Sequence, residues 1–162
     1  AVEARNKTVA GEISAGIYPG SFPYAPDLYL LKPGSVFAAK SIAIPADAPN
    51  GAFAMQFNGY LSIPADGTYT FNMTSDGAAY FWLHHARMFA VEHASAHQPL
   101  VATINLRAGL HPMRIEYVHN SPEKPVLSLK YAGPNLPEQV IPAEALYGES
   151  ARQETGRRPA NR

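Results

Sequence analysis

The sequence has 162 residues, enough for one domain with a sizeable core, and 46% of them are hydrophobic, which is typical of a globular chain. Only 16% are charged, and 13 basic residues balance 13 acidic ones, so a net charge of +0 disfavours binding to nucleic acid or to an anionic membrane surface. The absence of cysteine excludes disulfides, thiol catalysis and thiolate zinc sites, and no apolar run approaches the length of a membrane-spanning helix.

The first fifty residues show little regular patterning. Residues 1–10 are predicted to form an N-terminal arm, and they lack the basic-then-apolar pattern of a signal peptide. Residues 17–26 are rich in aromatic side chains and proline. That mixture indicates an extended segment that lies across a sheet, with its rings filling gaps in the core.

Alternation of apolar and polar residues runs through the middle of the chain and predicts β-strands of normal length. The alternating segments are residues 53–57, 69–73, 101–106, 113–117 and 126–131. Residues 79–83 are apolar throughout and predict a strand that is buried on both faces.

Turn-forming residues separate these strands. Residues 64–67 combine proline with Asp-Gly and predict a hairpin, whereas residues 121–125 hold two prolines and predict a loop. Short strands without intervening helices predict an all-β fold, an antiparallel and barrel-like β-sandwich. The best helical candidate is a single turn at residues 142–146. We expect the sandwich to span residues 11–148 and the polar residues 149–162 to form a tail or linker.

One concatenation of motifs is specific enough to indicate a family. The sequence FNGYLSIPADGTYTF at 57–71 is followed by TSDGA at 74–78, YFWL at 80–83 and LRAGLHPMRIEY at 106–117. This order resembles the PA14 domain family, named after the fourteen-kilodalton fragment of the anthrax protective antigen. The resemblance covers residues 11–147.

The resemblance implies a β-sandwich and a carbohydrate-binding activity. In lectin members of the family, two adjacent aspartates joined by a cis peptide hold a calcium ion that contacts sugar hydroxyls. An asparagine from a later loop and main-chain carbonyls complete the coordination, which suits the preference of calcium for oxygen ligands.

The sequence departs from this pattern at the calcium-binding position. Asp76 and Gly77 match the second aspartate and the glycine, but Ser75 replaces the first aspartate, and the loss of one carboxylate weakens the expected calcium site. Asn120 is the counterpart of the later-loop asparagine, and His84-His85 replaces an Asp-Gly turn after the aromatic strand. Calcium, if bound, is expected on Asp76 and Asn120. The predicted ligand-binding set is Ser75, Asp76, Gly77, His84, His119 and Asn120.

Asp76, Gly77, the histidines and the aromatic residues also have ordinary structural explanations. Asp76 and Gly77 can form a turn that is capped by the aspartate itself. The histidines, among them His84, His93 and His97, can be surface loop residues instead of zinc or copper ligands. Trp82 can stack on a sugar, but its position in an apolar strand favours core packing.

The function expected from the sequence is that of a non-catalytic carbohydrate-binding module in a larger secreted, cell-surface or periplasmic protein. Its expected partner is a polysaccharide or glycan, with neither nucleic-acid binding nor membrane insertion. The alternative is a structural or assembly domain that packs against neighbouring domains or subunits without sugar or metal. No nucleophile elbow, phosphate-binding loop or HExxH motif is present, so an enzyme is not expected.

Overall fold

The computed structural model describes residues 8–22, 31–84, 86–91 and 99–149. This part of the chain is built almost entirely from β-strands. The strands are β1 (Thr8–Ala10), β2 (Ile13–Pro19), β3 (Ser35–Ala39), β4 (Phe53–Ile63), β5 (Gly67–Ser75), β6 (Ala78–Leu83), β7 (Ala86–Val91), β8 (Leu100–Leu106), β9 (Gly109–His119), β10 (Leu127–Gly133), β11 (Leu136–Val140) and β12 (Leu146–Glu149). A 3₁₀ turn at Ala143–Ala145 confirms the short helical turn predicted near the C-terminus.

The strands form two antiparallel sheets, which confirms the predicted β-sandwich. The larger sheet has eight strands in the order β1-β12-β4-β9-β6-β7, with β2 also paired to β4 and β3 paired to β2. The smaller sheet has four strands in the order β11-β10-β5-β8. The two sheets do not close into a barrel.

The core lies between the two sheets and is rich in aromatic rings. Phe57 and Phe81 from the larger sheet and Phe71 from the smaller one are fully buried. The ring centroids of Phe71 and Phe81 are 5.3 Å apart, so this pair joins the sheets directly. Burying each such side chain contributes roughly 1.5–3 kcal/mol, which makes the alternating pattern the main source of stability.

The Asp-Gly segment at residues 64–67 forms a tight turn, but the predicted hairpin is wrong. β4 and β5 belong to different sheets and do not pair with each other. The chain instead turns a corner from one sheet into the other, and the connection from β8 to β9 turns a second corner beside it. Asp66 ties the two corners together, because its Oδ1 accepts a hydrogen bond of 2.8 Å from the backbone N–H of Ala108.

Strand β6 has one buried face, not two. Ala79, Phe81 and Leu83 point into the core, whereas Tyr80 and Trp82 lie partly exposed on the outer face of the larger sheet. The expectation that Trp82 packs in the core is therefore wrong. The ring of Trp82 stacks on that of Tyr80, with centroids 5.7 Å apart. Because both outward residues are aromatic, the sequence of β6 looks apolar on both faces although only one of them is buried.

The two ends of the described chain meet in the larger sheet. β1 pairs with β12 in the register Thr8↔Glu149 to Ala10↔Tyr147, so residues 8–10 extend the sheet. Residues 1–7 of the expected arm and 150–162 of the expected tail lie outside the described residues. Within the described ranges, no helix has the length and apolar character needed to cross a membrane.

Candidate functional site

Asp76 is the centre of a buried polar cluster at one end of the sandwich. It follows β5 and precedes β6, and only 5% of its surface is exposed. Its Oδ1 accepts hydrogen bonds from the hydroxyl of Tyr117 and, at 2.8 Å, from the backbone N–H of Val126. Its Oδ2 lies 2.6 Å from Nδ1 of His119. A buried carboxylate needs such partners, and here each oxygen has at least one.

His119 connects this cluster to a cavity. A carboxylate can only accept, so Nδ1 of His119 carries the proton that it shares with Asp76, and Nε2 is the polar atom left on the other side of the ring. The ring also packs against Phe53, with centroids 5.4 Å apart. His119 lines a cavity of about 530 Å³ between the loops at residues 44–51 and 121–125.

Tyr117 supports the same carboxylate from a position two residues before His119 on β9. Burial raises the pKa of its hydroxyl, and the hydrogen bond to Asp76 together with the negative charge of that carboxylate raises the pKa further. Tyr117 therefore stays a hydrogen-bond donor to Asp76 well beyond the pH at which an exposed tyrosine ionises.

Ser75 and Gly77 have local roles in the same turn. The hydroxyl of Ser75 donates a 2.8 Å hydrogen bond to the backbone carbonyl of Gly77. A Cβ on Gly77 would lie 1.9 Å from the carbonyl oxygen of Val118, so only glycine allows the turn to approach β9 this closely. The structure thus places both residues beside Asp76 and gives both a structural task.

Asn120 lies at the end of β9, but its amide is directed at another segment. Its Nδ2 donates to the carbonyl of Phe22, and its Oδ1 accepts from the N–H of Phe22 at 3.3 Å and from the hydroxyl of Ser21 at 3.5 Å. The side chain therefore pairs with the backbone of Phe22 much as a neighbouring strand would.

These residues do not fit a calcium ion. Calcium takes about six to eight oxygen ligands at roughly 2.3–2.6 Å. Both oxygens of Asp76 already accept from protein donors, and the Oδ1 of Asn120 faces Ser21 and Phe22. Across the described ranges there is no cluster of three or more histidine, aspartate or glutamate side chains.

His84 is separated from the rest of the predicted set. It follows the far end of β6, and a strand of this length places it about 20 Å from the turn at Asp76. The structure brings together five of the predicted residues, Ser75, Asp76, Gly77, His119 and Asn120, and leaves His84 apart. His85, His93 and His97 lie outside the described residues.

Sequence reasoning missed Tyr117 and the backbone of Val126 as partners of Asp76. A signal for Tyr117 was present, because Tyr117 and His119 are two residues apart on one strand and therefore point to the same face. The contribution of Val126 comes from pairing between β10 and β5, which no local pattern reveals.

The comparisons with known proteins agree with this architecture. The family model of the PA14 domain matches residues 38–145. No curated protein matches the chain.

Several solved structures share the fold at low sequence identity. The PA14 domain of the MpAFP antifreeze protein has a TM-score of 0.73 at 11% identity, with 93% of this chain and 97% of that one covered. The PA14 sugar-binding domain from an RTX adhesin has a TM-score of 0.72 at 10% identity, covering 86% and 99%. The A domain of epithelial adhesin 9 from Candida glabrata, in complex with Galb1-4GlcNAc, has a TM-score of 0.65 at 12% identity, covering 88% and 91%. The chain spans 48% and 50% of two anti-sigma factor domain-containing proteins that are also similar.

Proposed function

The chain belongs to the PA14 domain family, and from this we propose that it is a non-catalytic carbohydrate-binding module that holds a glycan, without calcium, in the cavity beside His119. The observation that carries the proposal is the pairing of that cavity with a histidine whose orientation is fixed by a buried carboxylate.

The lining of the cavity suits a sugar. Polar groups that can exchange hydrogen bonds with hydroxyls come from both loops, while proline and isoleucine side chains offer apolar surface to the C–H faces of a pyranose. The polar lining residues are Asn50, His119, Ser121, Glu123 and Lys124. A volume of about 530 Å³ lies within the usual range of small-molecule sites.

Preorganisation is the second support. Asp76 and Phe53 fix the ring of His119 from two sides, so little side-chain entropy is lost when Nε2 meets a hydroxyl. The charges of Glu123 and Lys124 balance, which favours a neutral glycan over a strongly anionic one.

The relatives support the substrate class and the location. One similar domain is described as sugar-binding and another was solved with Galb1-4GlcNAc. Both come from adhesins, and we accordingly propose an extracellular, cell-surface or periplasmic location for this domain.

Glycan microarrays followed by affinity electrophoresis test the proposal. We expect retention on at least one neutral glycan, equal with EDTA and with added calcium. Asn50→Ala and Lys124→Ala, both exposed at the cavity, should weaken retention, whereas Asn58→Ala, exposed on the outer face of the larger sheet, should not. Absence of retention on every glycan would refute carbohydrate binding, and loss of retention in EDTA would refute only its independence from calcium.

One observation favours the alternative of an assembly domain. The only tryptophan of the chain lies on the outer face of the larger sheet, stacked on Tyr80, with the guanidinium of Arg114 4.2 Å from its ring centroid. Aromatic residues and arginine are enriched in protein interfaces. Light scattering that shows a dimer, with a monomer for Trp82→Ala, would favour assembly through this face.

A further inference from the structure

Two histidines meet at the end of the sandwich that lies away from Asp76. Nε2 of His84, just after β6, is 2.7 Å from Nδ1 of His111 on β9. The rings are nearly perpendicular, with an interplanar angle of 83° and centroids 4.9 Å apart. Neither residue contributes to the cavity beside His119.

The protonation of His111 follows from its second contact. Its Nε2 lies 2.7 Å from the backbone carbonyl of Arg107, which can only accept, so Nε2 carries the proton. In the neutral ring, Nδ1 then presents a lone pair toward His84. Histidines that bind metals are typically oriented in this way, with the far nitrogen donating to a carbonyl.

The backbone of His84 is held in an unusual conformation that brings its ring to this place. Its φ is +55°, and its N–H donates a 2.8 Å hydrogen bond to the carbonyl of Pro112. A positive φ costs free energy at a non-glycine residue, so contacts with the surrounding chain must hold His84 in this conformation. The side chain of His84 is exposed, whereas His111 is only 3% exposed, so the pair has one open side.

We propose that His84 and His111 form a binding site for a divalent transition-metal ion of the zinc, nickel and copper class. Two imidazole nitrogens supply the protein ligands and water fills the other positions, because the described residues place no third histidine, aspartate or glutamate in the group. Nitrogen ligands exclude calcium and magnesium as the intended ions.

The geometry needs only a small adjustment. With metal–nitrogen bonds of about 2.0–2.1 Å and a tetrahedral angle, the two nitrogens would be about 3.3 Å apart. The exposed ring of His84 can supply this movement by rotation. When the ion binds, the proton of the His84 ring moves from Nε2 to Nδ1, so both rings remain neutral and no net proton is released. Acid pH opposes binding, because a protonated imidazole has no lone pair for the metal.

Calorimetric titration with zinc chloride at neutral pH tests the site. We expect one zinc per chain for the unmodified protein and loss of this binding in His84→Asn. Asparagine tolerates positive φ, so this variant removes the imidazole while keeping the backbone conformation, which circular dichroism and thermal unfolding verify. The matched control is His97→Asn, which should bind zinc as before.

A spectroscopic measurement locates the ion independently. Substoichiometric copper(II) should broaden the amide NMR signals of Leu83 and Met113, which are paired across β6 and β9, and leave that of Val126 sharp. Equal zinc binding by His84→Asn, loss of binding in His97→Asn, or no binding by the unmodified protein would each overturn the proposal.

Discussion

At the scale of single residues, Asp76 shows how a carboxylate can remain buried inside the protein. The hydroxyl of Tyr117, the ring of His119 and the N–H of Val126 surround it with donors, which offset the cost of removing the charge from water. The acceptor position is the one expected from the sequence, and the partners that surround it are donors of the protein itself.

Asp76→Asn should therefore be strongly destabilising. Asparagine replaces one carboxylate oxygen of Asp76 by an NH₂ group, which would face a donor of Tyr117, His119 or Val126. Breaking a buried charged pair such as that of Asp76 and His119 costs about 3–5 kcal/mol. Urea denaturation measures the change in free energy of unfolding. The matched control is Asp66→Asn, because the Oδ1 of an asparagine can still accept from Ala108, and its effect should stay within about 0.5 kcal/mol. Similar losses in both variants would contradict the role of the buried cluster.

The raised pKa of Tyr117 predicts that the stability of the fold depends on pH in the alkaline range. Its pKa is raised in the folded chain by burial and by Asp76, while in the unfolded chain it ionises near pH 10. Above that pH the folded state keeps a proton that the unfolded state has lost, so stability present below pH 10 declines as the pH rises.

Tyr117→Phe should make this decline shallower by the contribution of one proton. The free energy of unfolding between pH 9 and 11, compared with that of the unmodified protein, checks the expectation. The pKa values of Tyr18 and Tyr131 are also raised by burial, so part of the decline should remain in the variant. An identical slope in both proteins would show that Tyr117 does not carry the effect.

Residue patterns predicted much of the candidate site, but not how its parts are used. Asp76 and His119 were identified from sequence and do lie together. That Asn120 pairs with Phe22, ninety-eight positions away, depends on the path of a segment with no regular periodicity. Such long-range contacts leave no trace in local spacing.

At the scale of elements, the strands with a clear period of two were predicted, as was the apolar β6, whereas β1, β2, β3, β7, β11 and β12 were not. β4, β5, β8, β9 and β10 alternate along most of their length, although Ala54 in β4 and Glu116 and Val118 in β9 are buried on the opposite face as well. β1, β3 and β11 are short strands at the periphery of their sheets, where pairing of the backbone instead of side-chain burial defines the strand.

The connection after β4 was harder to predict, because an Asp-Gly turn can join two paired strands of one hairpin or two strands that belong to different sheets. The choice depends on which strands pair next. β4 pairs with β9 along its whole length, while β5 pairs with β8, so the two connected strands separate at Ile63 and Gly67.

Gly77→Ala should disturb the contact between the β5–β6 turn and β9. The added Cβ would lie 1.9 Å from a backbone oxygen that cannot move aside without shifting β9, so we expect a loss of about 1–3 kcal/mol. Thermal and chemical denaturation measure it. Gly16→Ala is the control, since its Cβ would meet its nearest neighbour at an ordinary 3.5 Å; a loss as large as that of Gly77→Ala would contradict the steric explanation.

At the scale of the whole molecule, the sandwich keeps its two candidate sites apart. The cavity beside His119 and the pair formed by His84 and His111 lie near opposite ends of β6 and β9. One continuous hydrophobic core lies between them, so a substitution at one site should leave binding at the other site unchanged.

The pairing of β1 with β12 has a mechanical consequence. Thr8 and Glu149 are direct partners in an antiparallel register, so tension applied through these two residues peels the strands apart from one end. The hydrogen bonds then break one after another and never share the load, as they would if the strands were sheared lengthwise. A pull on the domain through its ends should thus detach β1 first and reach the fully buried Leu146 only afterwards, which makes this edge of the sheet the point where the module yields to force.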